Sequence, residues 1–416
     1  MESTQRQIGR GIQDCDVVVT GVGATTPLGA DAPSTWQGLL TGESGVVALE
    51  EDWAEQLPVR IAARLRQEPT EVLERVEARR LDRSEQIALI SAREAWQDAG
   101  RPEVAPERLA VVIGTGTGGV TSLLGQDDVL EERGPRRVSP HTVTMMMANG
   151  PAAWVSIDLG AKGGARTTVS ACSSGAEALA LAHDLIRLGR ADVVVAGGTE
   201  ASVQPLPIAA FAQLTALSKR NDDPAGASRP FDAGRDGFVL GEGAVALVLE
   251  RGDRARERGA RAYAELAGSG ITSNAVHITA SDVDGQARAM RMAMEDGGLR
   301  PEDIGLVHAH ATATPQGDVE EADAIAEAVG LHPAVSAIKS NTGHLLGASG
   351  ALTALATVYG LRDGVAPAIL NLREVDPAVK LDLVTGAARE RGFGAALANS
   401  FGFGGHNVSL AFRRVD

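Results

Sequence analysis

The sequence predicts an α/β protein with a parallel or mixed sheet, and three observations carry that reading. Short β-branched runs ending in glycine alternate with helical stretches. Glycine is abundant at 49 residues and aromatics are scarce at 3%, so the apolar content is mostly Ala, Val and Leu. Small side chains of this kind let helices lie close on a sheet. Finally, one ordered set of signals occurs twice along the chain.

In order, the strand candidates are DVVVTGVG from Asp16, RLAVVIGTGTGG from Arg108, ADVVVAGG from Ala191, IGLVHAHATAT from Ile304 and NVSLAFR near the C-terminal end. Helices are predicted between them at 84–100, 173–189 and 285–297. The repeat is specific. Ser174-Gly175-Ala176 precedes Arg187 and Gly189, and Ser349-Gly350-Ala351 precedes Arg362 and Gly364 at one common offset. Upstream, PERLAVVIGTGTG and PEDIGLVHAHATA each follow a helix ending in Asp-Ala-Gly or Asp-Gly-Gly. Two equivalent halves about an approximate twofold axis would bring corresponding loops together. The chain therefore reads as an N-terminal tail (1–14), a half carrying one candidate nucleophile (15–259) and a half carrying candidate histidines (260–416).

Composition narrows the function classes. At 416 residues and 44% hydrophobic, the chain can bury a large core. A net charge of -15 argues against nonspecific nucleic-acid binding. The opening MESTQRQIGRGIQD lacks the apolar core of a signal peptide, and no apolar run approaches a membrane span. Two cysteines, Cys15 and Cys172, fit a reducing compartment, so a cytoplasmic protein is expected.

Cys172 sits where RTTVSA reads as a strand end and SSGAEALALAHDLIRLG reads as a helix closed by Gly189. Free amides and the helix dipole there would favour a thiolate, with a pKa somewhere in ~3.5–7.5. Small neighbours leave room for a substrate. The same turn also fits a buried structural thiol.

Of eight histidines, His310 lies at the end of a predicted strand and His344 precedes the second copy of the helix that follows Cys172. The repeat would bring both to the sulfur, where imidazoles can polarise a carbonyl. His308 and His406 read as structural, and His308-x-His310 could also be half of a metal site. Lys339 and Glu321, if buried, would need a partner and could pair to orient the histidines. On the surface, Lys339 would do nothing of the kind. In NSFGFGGHN, glycines let backbone approach a ligand, and the Phe403 N–H could complete an oxyanion hole with that of Cys172. GTGTGG lacks the dinucleotide-binding phase, and no GxxxxGK[ST] motif is present.

VSACSSGAEAL, SRPFDAGRDGFVLGEGA, HATATPQGD, KSNTGHLLGASGA and NSFGFGGHN resemble the β-ketoacyl-[acyl carrier protein] synthases of the elongating KAS II type, from about Asp16 to Phe412. STWQGLLTGESGV and the HN variant resemble the actinobacterial branch, which includes fatty-acid and mycolic-acid elongation enzymes. The resemblance implies a thiolase fold, five layers (αβαβα) from two duplicated halves, and a homodimer. It implies an acylated Cys172, catalytic His310 and His344, supporting Lys339 and Glu321, and Phe403 as a gate followed by its oxyanion N–H. Thr312 and Thr314 would hold the phosphopantetheine arm of acyl carrier protein. Phe211 and Thr117 would line the acyl pocket, with Phe401 and Gly402 beside it. Arg79 and Arg80 would dock the acidic carrier protein. No cofactor or metal is implied beyond the 4'-phosphopantetheine carried by the substrate.

Three departures stand out. The usual His-Gly-Thr is His310-Ala311-Thr312, and His308 stands where many members have Asn. Thr117 is also small and polar where several members carry a larger apolar residue. Rival readings are a thiolase, which would need a second catalytic cysteine, and the condensing subunit of an aromatic polyketide synthase. A chain-length factor would lack the nucleophile, and a cysteine hydrolase would release acid.

Overall fold

A computed structural model describes Ile12, Gln13 and residues 16–416. Most of the expected tail, 1–14, and Cys15 lie outside the described residues. The main sheet takes β1 (Val17–Thr25), β2 (Leu109–Gly114), β3 (Ala165–Arg166), β4 (Val193–Glu200) and β5 (Gly243–Arg251) from the first half, and β6 (Ala264–Ser273) opens the second. The rest supplies β7 (Ile304–His308), β8 (Ala334–Ser336), β9 (Asp382–Leu383), β10 (Ala395–Gly402) and β11 (His406–Arg413). The helices that matter here are α1 (Arg83–Asp98), α2 (Ser174–Arg187), α3 (Val283–Asp296), α4 (Pro315–Ala328) and α5 (Ser349–Asp363).

The eleven strands run β9-β8-β7-β10-β11-β6-β1-β5-β4-β2-β3. Read outward from the β1–β6 junction, the two sides match. Two antiparallel pairings come first, β1–β5–β4 on one side and β6–β11–β10 on the other. Parallel pairings follow, β4–β2–β3 and β10–β7–β8. The halves meet through β1 and β6, at Val18–Glu265 and Val19–Ala264.

Glycine sets how the outer helices lie. In β1, a Cβ on Gly21 or Gly23 would come 2.2 Å from the Ala95 carbonyl oxygen or 2.1 Å from that of Ser91, both on α1. In β6, a Cβ on Gly268 or Gly270 would come 2.6 Å from the Ala293 oxygen or 2.0 Å from that of Ala289, both on α3. The two half-sheets thus use the same device to seat equivalent helices. Capping fixes where these helices begin. Asp82 and Glu85 form a reciprocal box at α1, and Asp282 accepts the Gly285 N–H at α3.

The inner helices α2 and α5 carry the repeated Ser-Gly-Ala. They cross at that motif. A Cβ on Gly175 would meet the Ala351 Cβ at 3.1 Å, and one on Gly350 would meet the Ala176 Cβ at 2.7 Å. Helix α5 is buried on nearly every face, including Leu352, Leu355 and Leu361, each contributing ~1.5–3 kcal/mol by leaving water. Gly189 and Gly364 end the equivalent segments at φ of 66° and 69°. The layers are therefore α1, half-sheet, the α2/α5 pair, half-sheet, α3, which is the expected five-layered thiolase arrangement.

Candidate active site

Cys172 lies in a single 3-10 turn, Ala171–Ser173, that runs directly into α2. The strand expected before it stops at Arg166, and irregular backbone leads to the turn. Ala171 sits at φ 51°, a left-handed conformation that costs an alanine roughly 1–2 kcal/mol. Ser174 holds the turn shut. Its hydroxyl donates to the Ala171 oxygen (2.7 Å) and accepts the Ser170 N–H (3.0 Å).

The β10–β11 hairpin clamps the same turn from the other half. The Ser400 hydroxyl donates to the Cys172 carbonyl at 3.0 Å. The Ser173 hydroxyl is shared between the carbonyls of Ser400 (2.9 Å) and His406 (3.0 Å). At Gly402 a Cβ would stand 2.5 Å from the Ser170 oxygen and 3.1 Å from the Cys172 nitrogen. NSFGFGGHN, expected as a glycine loop, is thus mostly the end of β10 and the start of β11, with Phe403-Gly404-Gly405 as its tip.

Burial pushes the Cys172 thiol up to about 11, while the Lys339 charge and the Phe403 N–H pull it down less strongly. This corrects the expected thiolate. Loss of water disfavours the anion at this sulfur. The Phe403 N–H is directed at the sulfur.

His310 lies beyond β7, which ends at His308 rather than continuing as expected. The backbone turns there through two left-handed alanines, Ala311 at φ 26° and Ala313 at φ 67°. Glu321 belongs to the middle of α4. Its carboxylate accepts the N–H of His310 (2.8 Å) and of Ala311 (2.6 Å). Lys339 Nζ donates to the His310 carbonyl at 2.5 Å and approaches His310 Nδ1 at 3.3 Å. The two charges therefore do not form the direct pair expected of them. They grip the His310 peptide from opposite sides. Burial lowers Lys339 to about 8, with the Glu321 charge as the largest opposing influence, and burial raises Glu321.

With Lys339 donating at Nδ1, His310 keeps its proton on Nε2. His344 Nδ1 lies 2.8 Å from the hydroxyl of Ser349, the first residue of α5. With that hydroxyl donating, His344 also presents an Nε2 proton. Ser349 is the repeat counterpart of Ser174, so one serine position steadies the sulfur turn in the first half and an imidazole in the second. The two rings stand 5.4 Å apart and nearly perpendicular, at 85°. Both are held well below the ordinary histidine range, chiefly by burial and next by the Lys339 charge. Burial thus favours the neutral ring in both.

Cys172, His310 and His344 open onto one cavity of about 460 Å³. Phe211, Phe401, Gly402, Phe403, Thr312, Thr314 and Glu321 also line it. Thr312 and Thr314 hydroxyls are 3.1 Å apart. Phe401 lies 5.9 Å from the His310 ring.

Thr117 does not line this cavity. Its hydroxyl donates to Glu200 at 2.5 Å and lies 2.8 Å from the Ser202 hydroxyl. Arg79 and Arg80 are exposed just after the short helix Arg75–Ala78. His308 is fully buried and neither ring nitrogen has a hydrogen-bond partner. No group of three potential metal ligands occurs among the described residues, and none of their helices is long and apolar enough to cross a membrane.

Sequence reasoning missed Phe238, which packs edge-on against His344 at 5.2 Å and against Phe211 at 5.3 Å. It also missed Glu200, whose buried carboxylate accepts the N–H groups of Gly116 (2.7 Å) and Gly347 (3.0 Å). The acid at the end of ADVVVAGGTE is the available signal, since a carboxylate ending a buried strand must find donors.

The comparisons with known proteins agree with this geometry. The family model for the β-ketoacyl synthase N-terminal domain matches residues 14–255, and that for the C-terminal domain matches 263–373. The 3-oxoacyl-[acyl-carrier-protein] synthase 2 of Mycobacterium tuberculosis H37Rv is 46% identical over 404 residues, spanning 96% of this chain and 97% of that one. A β-ketoacyl synthase from Burkholderia phymatum STM815 superposes with a TM-score of 0.90 at 37% identity, over 96% of this chain and 100% of the other. The AntDE:AntF complex, a type II polyketide acyl-carrier protein with its ketosynthase, supplies a second match. It has a TM-score of 0.89 at 30% identity, over 97% and 100% of the two chains. A sulfur and two imidazoles from the two halves of one duplicated fold, matched by both domain models, show that this chain belongs to the β-ketoacyl synthase family.

Proposed function

We propose that the chain lengthens acyl groups in type II fatty acid synthesis by decarboxylative condensation with malonyl carrier protein. The observation that carries this reading is the opening of Cys172, His310 and His344 onto one cavity, with the Phe403 N–H directed at the sulfur. The sulfur attacks the thioester of acyl carrier protein, and its proton leaves with the carrier thiol. Backbone N–H groups of Cys172 and Phe403 steady the tetrahedral oxyanion. Malonyl carrier protein follows. The Nε2 protons of His310 and His344 hydrogen-bond its thioester oxygen, so that negative charge collects there as CO2 departs. The enolate carbon attacks the acyl-Cys172 carbonyl, the sulfur leaves as thiolate and takes a proton from water, and β-ketoacyl carrier protein is released.

In this reading the reaction uses no cofactor or metal. Thr312 and Thr314 hydrogen-bond the 4'-phosphopantetheine arm, Phe211 borders the acyl tail, and Arg79 and Arg80 meet the acidic carrier protein. The protein acts as a cytoplasmic homodimer without nucleic-acid or membrane partners. Mycolic-acid precursor elongation is a variant of the same chemistry on longer acyl chains.

The test is mass spectrometry of the protein with acyl carrier protein, followed by malonyl carrier protein. Cys172 should gain the acyl mass and then lose it as β-ketoacyl product appears. A Cys172→Ala protein that still forms product at the parent rate would refute the proposal. The second reading, a polyketide ketosynthase subunit, draws support from the likeness to the AntDE:AntF complex. It predicts activity only with a cysteine-less partner chain, whereas a fatty-acid enzyme works alone.

A further inference from the structure

The duplication gives the sulfur turn a copy in the second half, and a carboxylate fills the space in front of that copy. The Ala171–Ser173 turn before α2 and the Leu346–Ala348 turn before α5 are both single 3-10 turns, at the offset that relates Ser174 to Ser349. Their backbones match, with Ala171 at φ 51° and Leu346 at φ 44°. Gly347 is therefore the counterpart of Cys172. Strands β4 and β10 also correspond, eight residues each, and end at Glu200 and Gly402.

In the working pocket, Gly402 brings no side chain to the Cys172 nitrogen. In the copy, Glu200 does. Its Oε2 accepts the Gly347 N–H at 3.0 Å and the Gly116 N–H at 2.7 Å. Its Oε1 takes the hydroxyls of Thr117 at 2.5 Å and Ser202 at 3.0 Å. The carboxylate thus sits on the N–H that matches one of the two oxyanion donors. A nucleophile has no room there, since a Cβ on Gly347 would stand 2.4 Å from the Gly116 nitrogen. Glu200 is fully buried and does not line the cavity. Burial raises its carboxyl, and the Thr117, Gly116, Gly347 and Ser202 donors pull it back.

Gly116 and Thr117 belong to the first half and Gly347 to the second. Stripping a buried carboxylate of its donors is costly, so this one ties the halves together. The turn it holds lies between His344 and Ser349, whose hydroxyl meets the His344 ring. We propose that Glu200 is a positioning residue for condensation: an internal carboxylate seated in the disused copy of the oxyanion pocket, which keeps the His344 side of the centre in register with the Cys172 side. This rests on the condensing reading above and adds to it a residue outside the cavity.

Two full-length variants test it. Glu200→Ala empties the copy, and Glu200→Gln keeps the shape but turns one acceptor into a donor. Acylation of Cys172 and the later condensation are timed separately by mass spectrometry. Condensation leans on His344, so the ratio of condensation to acylation should fall about tenfold in both variants. Formate, a free carboxylate small enough for the space vacated in Glu200→Ala, should restore most of that ratio, and chloride at equal ionic strength should not. Glu200→Gln leaves no such space, and formate should not rescue it.

Loss of both steps by one factor, the mark of a smaller folded fraction, overturns the assignment. So does an unchanged ratio, or formate that rescues both variants alike. Should Glu200→Ala fail to fold, the ratio in Glu200→Gln decides alone. A parent that acylates but never condenses sinks the condensing reading and this role with it, whereas an active parent with unaltered variants sinks the role of Glu200 only.

Discussion

Lys339 Nζ stands 3.3 Å from His310 Nδ1 while also holding that residue's carbonyl oxygen. One ammonium therefore fixes both the position of the residue and the tautomer of its ring. Lys339→Met should free the ring and lower condensation by about 100-fold, the scale of a misplaced proton donor. Acylation of Cys172, read by mass spectrometry, should suffer less. The ammonium sits near 8, below its ordinary value because of burial. Raising the pH through about 8 removes the charge, so the rate in the parent should fall there.

The nearness of Gly402 to Cys172 gives a second test. A methyl at Gly402 points into the Ser170 oxygen at 2.5 Å, and backbone cannot yield as a side chain can. Gly402→Ala should push the Phe403 N–H away from the sulfur. The expected result is at least a tenfold loss in acylation, within the range of a lost oxyanion donor. Burst kinetics measure it directly.

His308 makes a prediction about stability. Its two ring nitrogens are buried without partners, and burial lowers it to about 3. In the unfolded chain the ring takes up a proton below pH 6.5, whereas the folded ring resists until near 3. Acid thus favours unfolding through this residue. His308→Leu removes both burdens. It should stabilise by about 1–3 kcal/mol at pH 7. The gain should widen by about 1.4 kcal/mol for each pH unit below 6.5, until pH nears 3. Urea melts of both proteins at pH 7 and pH 5 decide it.

The crossing of α2 and α5 can be probed as a pair. Gly350→Ala places a methyl 2.7 Å from the Ala176 Cβ and should cost about 1–3 kcal/mol. Adding Ala176→Gly should return part of that loss. Two independent, additive effects in denaturant titrations would show that the helices do not meet there.

Much of this was legible in the sequence because it depends on local pattern. The repeated Ser-Gly-Ala marks two equivalent helices, and they cross at that motif. The valine runs from Val17, Val111 and Val193 all became buried strands. What sequence could not give depended on solvent and distance. The upward push on the Cys172 thiol is not legible because a helix terminus is visible in a sequence and the loss of water around it is not. Lys339 and Glu321 were seen as a pair, yet each binds backbone atoms of His310, which carry no side-chain signature. Phe238 escaped notice because an edge-on ring contact between distant segments leaves no spacing to find. Thr117 was placed by likeness to a family position, and its actual partner is an acid on a neighbouring strand.

The matching duties of Ser174 and Ser349 bear on how such a molecule could arise. Two copies of a single ancestral half, joined end to end, would already own both serine-led helices and both turns in front of them. Divergence then needed little more than to keep sulfur before one helix and imidazole before the other. The chemistry is the difference between two cousins that still share a skeleton.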